Sequence, residues 1–119
     1  GLAELFRLFQ RACGPLDRQT LLEGGFGTGS YIDGFRRHTK AMYGVEGSGE
    51  GLQQALKKMG RAHGVHLQVG NILHLAFLKE SFEGYMVNQV LHHLDSTPDF
   101  PNLSLFLSEA RRVLKPGGR

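Results

Sequence analysis

The residues best placed to do chemistry begin with a glycine run. Leu21 to Ser30 reads LLEGGFGTGS, with Gly24, Gly25, Gly27 and Gly29 falling within six residues. Each glycine costs roughly 0.5–1 kcal/mol of extra backbone entropy relative to alanine in a regular element. Such a run is either a solvated turn or a place where something lies against bare main chain. Its position favours the second: it follows the short apolar segment TLLEG and precedes a helical pattern, at the carboxyl end of a strand, where ligands of open α/β folds bind. Gly25, Gly27 and Gly29 would there let a ligand approach the backbone amides and the positive end of the next helix. A phosphate loop of the GxxxxGK[ST] type needs a lysine after its last glycine, and Ser30 and Tyr31 follow Gly29 instead. A dinucleotide fingerprint counted from Gly25 fails at Ser30, where it requires glycine or alanine.

His92 and His93 carry imidazoles that titrate near neutrality, suited to orienting or deprotonating an acceptor. Packing or capping is the competing role for both, and the favoured one for His92. His63, His66 and His74 have no carboxylate or thiolate at ligand spacing, so no metal site is expected. Cys13 lies in a helical stripe with Leu2, Leu5, Phe6 and Phe9 and reads as a core residue rather than a nucleophile. As the single cysteine it excludes an internal disulfide.

These residues need elements to hold them. A helix is predicted over Leu2–Cys13, ended by Pro15, followed by a strand over Thr20–Gly24 and a helix over Ser30–His38 with Ile32 and Phe35 inward. Ala41–Glu46 is the second strand. The helix after it has Ser48 as N-cap, Leu52, Ala55, Leu56 and Met59 on one face, and Gly64 as its stop. VHLQV alternates, with Val65, Leu67 and Val69 on one side and His66 and Gln68 on the other, as suits a sheet edge. Glu83–Val90, whose Tyr85–Val87 stretch lacks alternation, reads as a central fourth strand. A last helix sets Leu103, Phe106, Leu107, Ala110, Val113 and Leu114 along one face, closed by Pro116. Strands separated by long crossovers make a parallel α/β sheet.

At 119 residues, 40% of them apolar, the chain fits one domain, residues 1–119. It begins at Gly1 and stops in LKPGGR, so both ends are expected to be cuts in a longer chain. No apolar run approaches the roughly 20 residues of a membrane span, and a cytoplasmic setting suits the lone thiol. The net charge of +3 gathers in RRHTK, KKMGR and RRVLK, each near a helix end where cations meet the negative pole of the macrodipole. No aromatic residues interleave with these clusters, so nucleic acid is not expected as a partner. Oligomeric state is left open.

Glu23, Gly25, Gly27 and Gly29 form the pattern E-x-G-x-G-x-G, and here the sequence resembles the class I S-adenosylmethionine-dependent methyltransferases. Phe26 stands where that family often has cysteine, and Gly24 replaces a common apolar residue. Glu46, in YGVEGS, matches the family's acidic residue that accepts hydrogen bonds from both ribose hydroxyls, a geometry two carboxylate oxygens satisfy. QVGNILHLAF is similar to the segment beside the adenine, so the resemblance implies that Asn71 faces the exocyclic amine and Ile72 packs by the ring. SFEGYMVNQVLHHL resembles the S-F-D-x-V-x-x-x-x-V-L-H-H-L pattern of small-molecule methyltransferases, and EARRVLKPGG their segment before the fifth strand. Agreement of these segments in order, from Leu21 to Gly118, is far more specific than any one of them.

The resemblance implies a Rossmann-like parallel sheet with helices on both faces, strand order 3-2-1-4, as the N-terminal part of a seven-stranded fold. It implies S-adenosyl-L-methionine as cofactor, held by Glu23, Gly24, Gly25, Gly27, Gly29, Glu46, Gly47, Asn71, Ile72 and Asn88, with His93 as the catalytic candidate. Glu23 would favour the donor's amino group or sulfonium through water, and Asn88 the methionine moiety. The chain lacks an Asn-Pro-Pro-aromatic segment, a Pro-Cys pair, paired glutamates after Asn88 and several cysteines. Those absences disfavour amino-methylation of DNA, cytosine C5 chemistry, protein arginine methylation and arsenic methylation respectively. A small organic acceptor remains, with a non-catalytic cofactor-binding or scaffolding domain as the alternative.

Overall fold

The computed structural model describes residues 1–88, 94–95 and 101–119. Four strands, β1 (Thr20–Gly24), β2 (Ala41–Glu46), β3 (Val65–Val69) and β4 (Gly84–Val87), form one sheet in the order β3-β2-β1-β4, and every neighbouring pair is parallel. The parallel pairing is the one expected from the alternation of apolar runs and long crossovers, and the order is the one that the family resemblance implies. Four helices accompany the sheet: α1 (Leu2–Cys13), α2 (Ser30–Phe35), α3 (Gly49–Met59) and α4 (Pro101–Val113). β1 is flanked on both sides and almost wholly buried, which is why TLLEG is a continuous apolar run rather than an alternating one.

The two-residue period of the strands divides the core. Leu21 and Met42 face α1, α2 and α3, where they join Phe9, Phe26, Ile32, Phe35, Ala55 and Met59. Leu22 and Val45 face the other way and pack with Leu75, Phe82 and Val113. Phe6 and Phe9 of α1 meet Phe35 edge-on, with ring centroids 4.6 and 6.0 Å apart. Gln19 ties the end of α1 to the start of β1: its buried Nε2 donates to the carbonyls of Phe9 (3.1 Å) and Gly14 (2.6 Å). Cys13 is half-buried, its Sγ donating to Glu83 O at 3.1 Å, a structural setting.

Several boundaries differ from the sequence expectation. α2 ends at Phe35 rather than His38, because the chain tightens there: His38 N bonds Phe35 O and the Thr39 hydroxyl bonds the same carbonyl. α3 stops at Gly60 (φ +62°), not Gly64, its amide closing on Leu56 O at 2.7 Å. Gly64 instead turns the chain into β3, where its carbonyl accepts from Met42 N. Val69 is 51% exposed and Leu107 55%, so each lies outside the buried face assigned to it. The expected fourth strand is described over Gly84–Val87; its continuation from residue 89 lies outside the described residues. On β4's side away from β1, Arg119 exchanges main-chain hydrogen bonds with Glu83 and Tyr85 at 3.1 and 2.7 Å.

The basic clusters do end helices. Lys57 and Lys58 lie in the last turn of α3, Arg111 and Arg112 in that of α4, and Arg36 caps α2 while pairing with Asp33 at 2.8 Å. Arg112 also fastens the segment before β4, donating to the carbonyls of Phe77 (2.6 Å) and Leu75 (2.9 Å) while paired with Glu109. No helix among the described residues is long and apolar enough to cross a membrane.

Candidate functional site

Register places the two acidic candidates together. Glu23 sits opposite Gly44 of β2 and Met86 of β4, and Glu46 lies two residues beyond Gly44, so both carboxylates stand on the same sheet face at its carboxyl end. That face is the one covered by α1, α2 and α3, and the glycine run crosses it between β1 and α2.

The loop and Glu46 are stitched to each other. Glu46 Oε1 accepts from Gly27 N at 3.0 Å, and Oε2 accepts from Ser48 N at 3.3 Å. Gly25 N donates to Val45 O at 2.7 Å, and Ser48 caps α3 by accepting from Gly51 N at 3.2 Å. The glycines divide by what surrounds them. Gly27, at φ +59°, has open space where a side chain would project, and Gly47 is likewise unobstructed. These two present bare backbone. Gly24 is buried, and a Cβ on it would lie 2.7 Å from the Tyr85 hydroxyl and 3.0 Å from Ile72 Cγ2. A Cβ on Gly29 would lie 2.7 Å from Met59 Cε and 3.1 Å from Ala55 Cβ. Gly24 and Gly29, expected to face a ligand, therefore serve to let Tyr85, Ile72 and α3 close around the loop. Gly25 takes φ +67° to make the turn. Phe26 turns down into the core beneath the loop, using the space that Gly44 leaves open.

Glu23 has a different environment. It is 2% exposed, and its Oε1 has no hydrogen-bond partner among the described residues. Burial, with the charge of Glu46 adding to it, pushes its carboxyl up to about 8. It forms part of the wall of a cleft of about 330 Å³ shared with Asn88, Met86 and Val87 of the β4 end, Leu5 and Leu8 of α1, and Tyr31 of α2. Asn88 lines the same cleft as Glu23. The contribution of α1 was missed by sequence reading, although Leu8, at 53% exposure, sits at the rim of the amphipathic stripe that signals the helix.

Asn71 and Ile72 follow β3 and come to the same end of the sheet. Gly70 N bonds Glu46 O at 3.0 Å, fixing the turn that carries them. Asn71 is exposed, with Oδ1 accepting from Leu73 N at 2.9 Å, which leaves a second lone pair outward. Ile72 packs against Gly24. Beneath them, the Tyr85 hydroxyl is buried without a hydrogen-bond partner among the described residues, and burial together with the Glu109 charge raises its pKa. Gly51 was also missed: a Cβ there would lie 3.0 Å from Gly27 O and 3.1 Å from Glu46 Cγ, so its absence lets α3 start against the loop. His93 and His92 lie outside the described residues. His66 stacks on Tyr43, ring centroids 4.5 Å apart, in a packing role.

Residues 22–119 match a family model described as a methyltransferase domain. None of the curated proteins compared matches the chain. Among solved structures, DesVI of Streptomyces venezuelae superposes with a TM-score of 0.81 at 20% identity, over 98% of this chain and 46% of that one. YcgJ of Bacillus subtilis gives 0.75 at 22%, over 95% and 47%. An S-adenosylmethionine-dependent methyltransferase of Mesorhizobium loti gives 0.76 at 17%, over 99% and 53%. At these identities the likeness is one of fold, and the chain spans about half the length of the structures it matches.

Proposed function

Because the chain belongs to the methyltransferase domain family, we propose that it is the cofactor-binding half of an S-adenosyl-L-methionine-dependent methyltransferase acting on a small organic acceptor. The observation that carries this reading is the contact between Glu46 and bare Gly27, 3.0 Å between carboxylate oxygen and amide nitrogen. It joins a two-oxygen acceptor to main chain at Gly27 whose side-chain direction is open space.

The residues fit such a ligand. The open face of Gly27 accommodates a group lying flat on backbone, and Glu46, already oriented by two amides, retains lone pairs for a vicinal diol. In this reading Glu46 and Gly47 hold the ribose, Asn71 offers its outward carbonyl to the adenine amine, and Ile72 lies by the ring. Glu23 and Asn88 meet the amino-acid portion in the cleft that they share. Gly25 shapes the turn, while Gly24 and Gly29 act by letting neighbours approach.

When bound, the cofactor supplies a methyl group already activated on a cationic sulfonium. The chain's task is then to hold, orient and exclude water. Leu5, Leu8 and Met86 give the cleft an apolar wall suited to drying it. His93 is proposed to orient or deprotonate the acceptor, and the setting to be cytoplasmic. Calorimetric titration of the full-length protein with S-adenosylhomocysteine, followed by an acceptor screen with labelled donor, tests the reading. Saturable binding with turnover on a small molecule supports it, and no binding to the folded protein refutes it.

A further inference from the structure

The segment between β3 and β4 forms neither a helix nor a strand, yet it carries the turn with Asn71 and Ile72. That turn is stiff within itself: Asn71 Oδ1 accepts from Leu73 N at 2.9 Å, and Asn71 O accepts from His74 N at 3.0 Å. It therefore moves as a block, placed by whatever holds its two ends. One end is fixed by Gly70 N, which donates to Glu46 O at 3.0 Å. The other is held by two side chains of α4. Glu109 Oε1 accepts from Leu75 N at 2.7 Å, while Arg112 donates through Nη2 to Leu75 O at 2.9 Å and through Nη1 to Phe77 O at 2.6 Å. The two side chains also brace each other, Arg112 Nε donating to Glu109 Oε2 at 2.7 Å and Nη2 to Oε1 at 3.0 Å. This forked pairing orients both groups, and the guanidinium holds the Glu109 carboxyl below its ordinary value. Leu75 is 7% exposed and packs with Leu22, Phe82 and Val113, so the anchored end is sunk in the core.

Resting on the proposal that Asn71 and Ile72 meet the adenine, we propose that Glu109 and Arg112 are positioning residues for base selectivity, a latch on α4 that sets where the Asn71 carbonyl stands. They act through the loop rather than on the ligand. Because the turn is stiff, a shift at Leu75 is carried to the Asn71 oxygen. A hydrogen bond to a base edge weakens steeply with displacement and misalignment, whereas apolar contact between Ile72 and a ring tolerates both. A loosened latch therefore removes the contact to the base's exocyclic group first. Adenine offers an amine donor there and hypoxanthine a carbonyl oxygen, so a carbonyl pinned in place accepts the one and repels the other. Arg112, one of the cations that close α4, thus has a second role set by tertiary placement.

The experiment is calorimetry on the full-length protein with S-adenosylhomocysteine and S-inosylhomocysteine, which differ in the exocyclic group of the base and the ring nitrogen beside it. The parent is expected to prefer the adenine ligand by about tenfold. Arg112→Lys keeps the charge but has no fork to serve two carbonyls and a carboxylate together. Its preference is expected to fall to about threefold, through weaker binding of the adenine ligand with the hypoxanthine ligand little changed. Glu109→Gln keeps an oxygen for Leu75 N and loses the ionic brace, so it is expected to fall between the two. A merely structural clamp would weaken both ligands alike, and an unchanged preference in folded Arg112→Lys overturns the proposal while leaving cofactor binding intact. Should that variant not fold, an unchanged preference in Glu109→Gln overturns it in the same way. A parent that binds both ligands equally overturns it as well, since there is then no base selectivity to set. If the folded parent binds neither ligand, the cofactor reading falls and this inference with it.

Discussion

Two carboxylates at the same end of one sheet face live in opposite surroundings. Glu46, at the end of β2, is held by the amides of Gly27 and Ser48 and lies against a loop shaped to receive it. Glu23, one strand over, is deeper, has an oxygen without a partner among the described residues, and opens onto a cleft walled by α1 and the β4 end. The difference teaches that the loop side is preorganised, its polar groups already aligned, whereas the cleft side holds an unmet electrostatic demand. A ligand spanning both would be positioned by the first and would meet a buried carboxyl group at the second.

The most damaging way to break the comparison is Gly27→Val. A β-branched residue at φ +59° is strained, and its side chain would occupy the face left bare for a ligand. Binding of S-adenosylhomocysteine is expected to fall below detection in calorimetry while circular dichroism retains the parental helix and strand signal. Undiminished binding would remove Gly27 from the cradle.

Glu23→Gln sharpens the other half. Its carboxyl is lifted from 4.5 to about 8, so between those pH values the folded protein holds a proton that the unfolded chain has released. Stability from this group is therefore fullest below pH 4.5 and lost as pH rises towards 8. Thermal melts should show Glu23→Gln gaining on the parent by several degrees as pH rises from 5 to 8. A constant difference across that range would mean that Glu23 is not held as the acid.

Asn71→Ala is the mildest change. It removes one outward acceptor and the turn contact to Leu73 N, and should weaken S-adenosylhomocysteine by about 0.5–1.5 kcal/mol. An unchanged titration would place the adenine elsewhere.

Much of this site was legible because its parts obey local rules. The apolar run of β1, the strand ending in Glu46 and the glycine pattern between them identify a sheet end, the long crossovers indicate parallel strands, and the resemblance to the methyltransferases implies the order 3-2-1-4 that the structure shows. Less visible was what each glycine is for. A sequence records that a side chain is absent but not what fills its place, so Gly24 and Gly29 looked like Gly27 although they accommodate Tyr85 and Met59. Phe26 departs from the cysteine common in the family, and nothing local shows that Gly44 makes room for it. Gly60 and Gly64 are both punctuation with positive φ, and only the Gly60–Leu56 hydrogen bond shows which one ends α3. The part that α1 takes in the cleft depends on tertiary placement, and no residue type in it announces a role.

The central claim, that Glu46 and the bare main chain of Gly27 cradle one ligand, is tested most directly by titrating S-adenosylhomocysteine into the full-length parent and Glu46→Ala by calorimetry. Loss of charge-assisted hydrogen bonds predicts weakening by about 1.5–3 kcal/mol, with the fold intact by circular dichroism. Equal affinities for the two proteins would contradict the account.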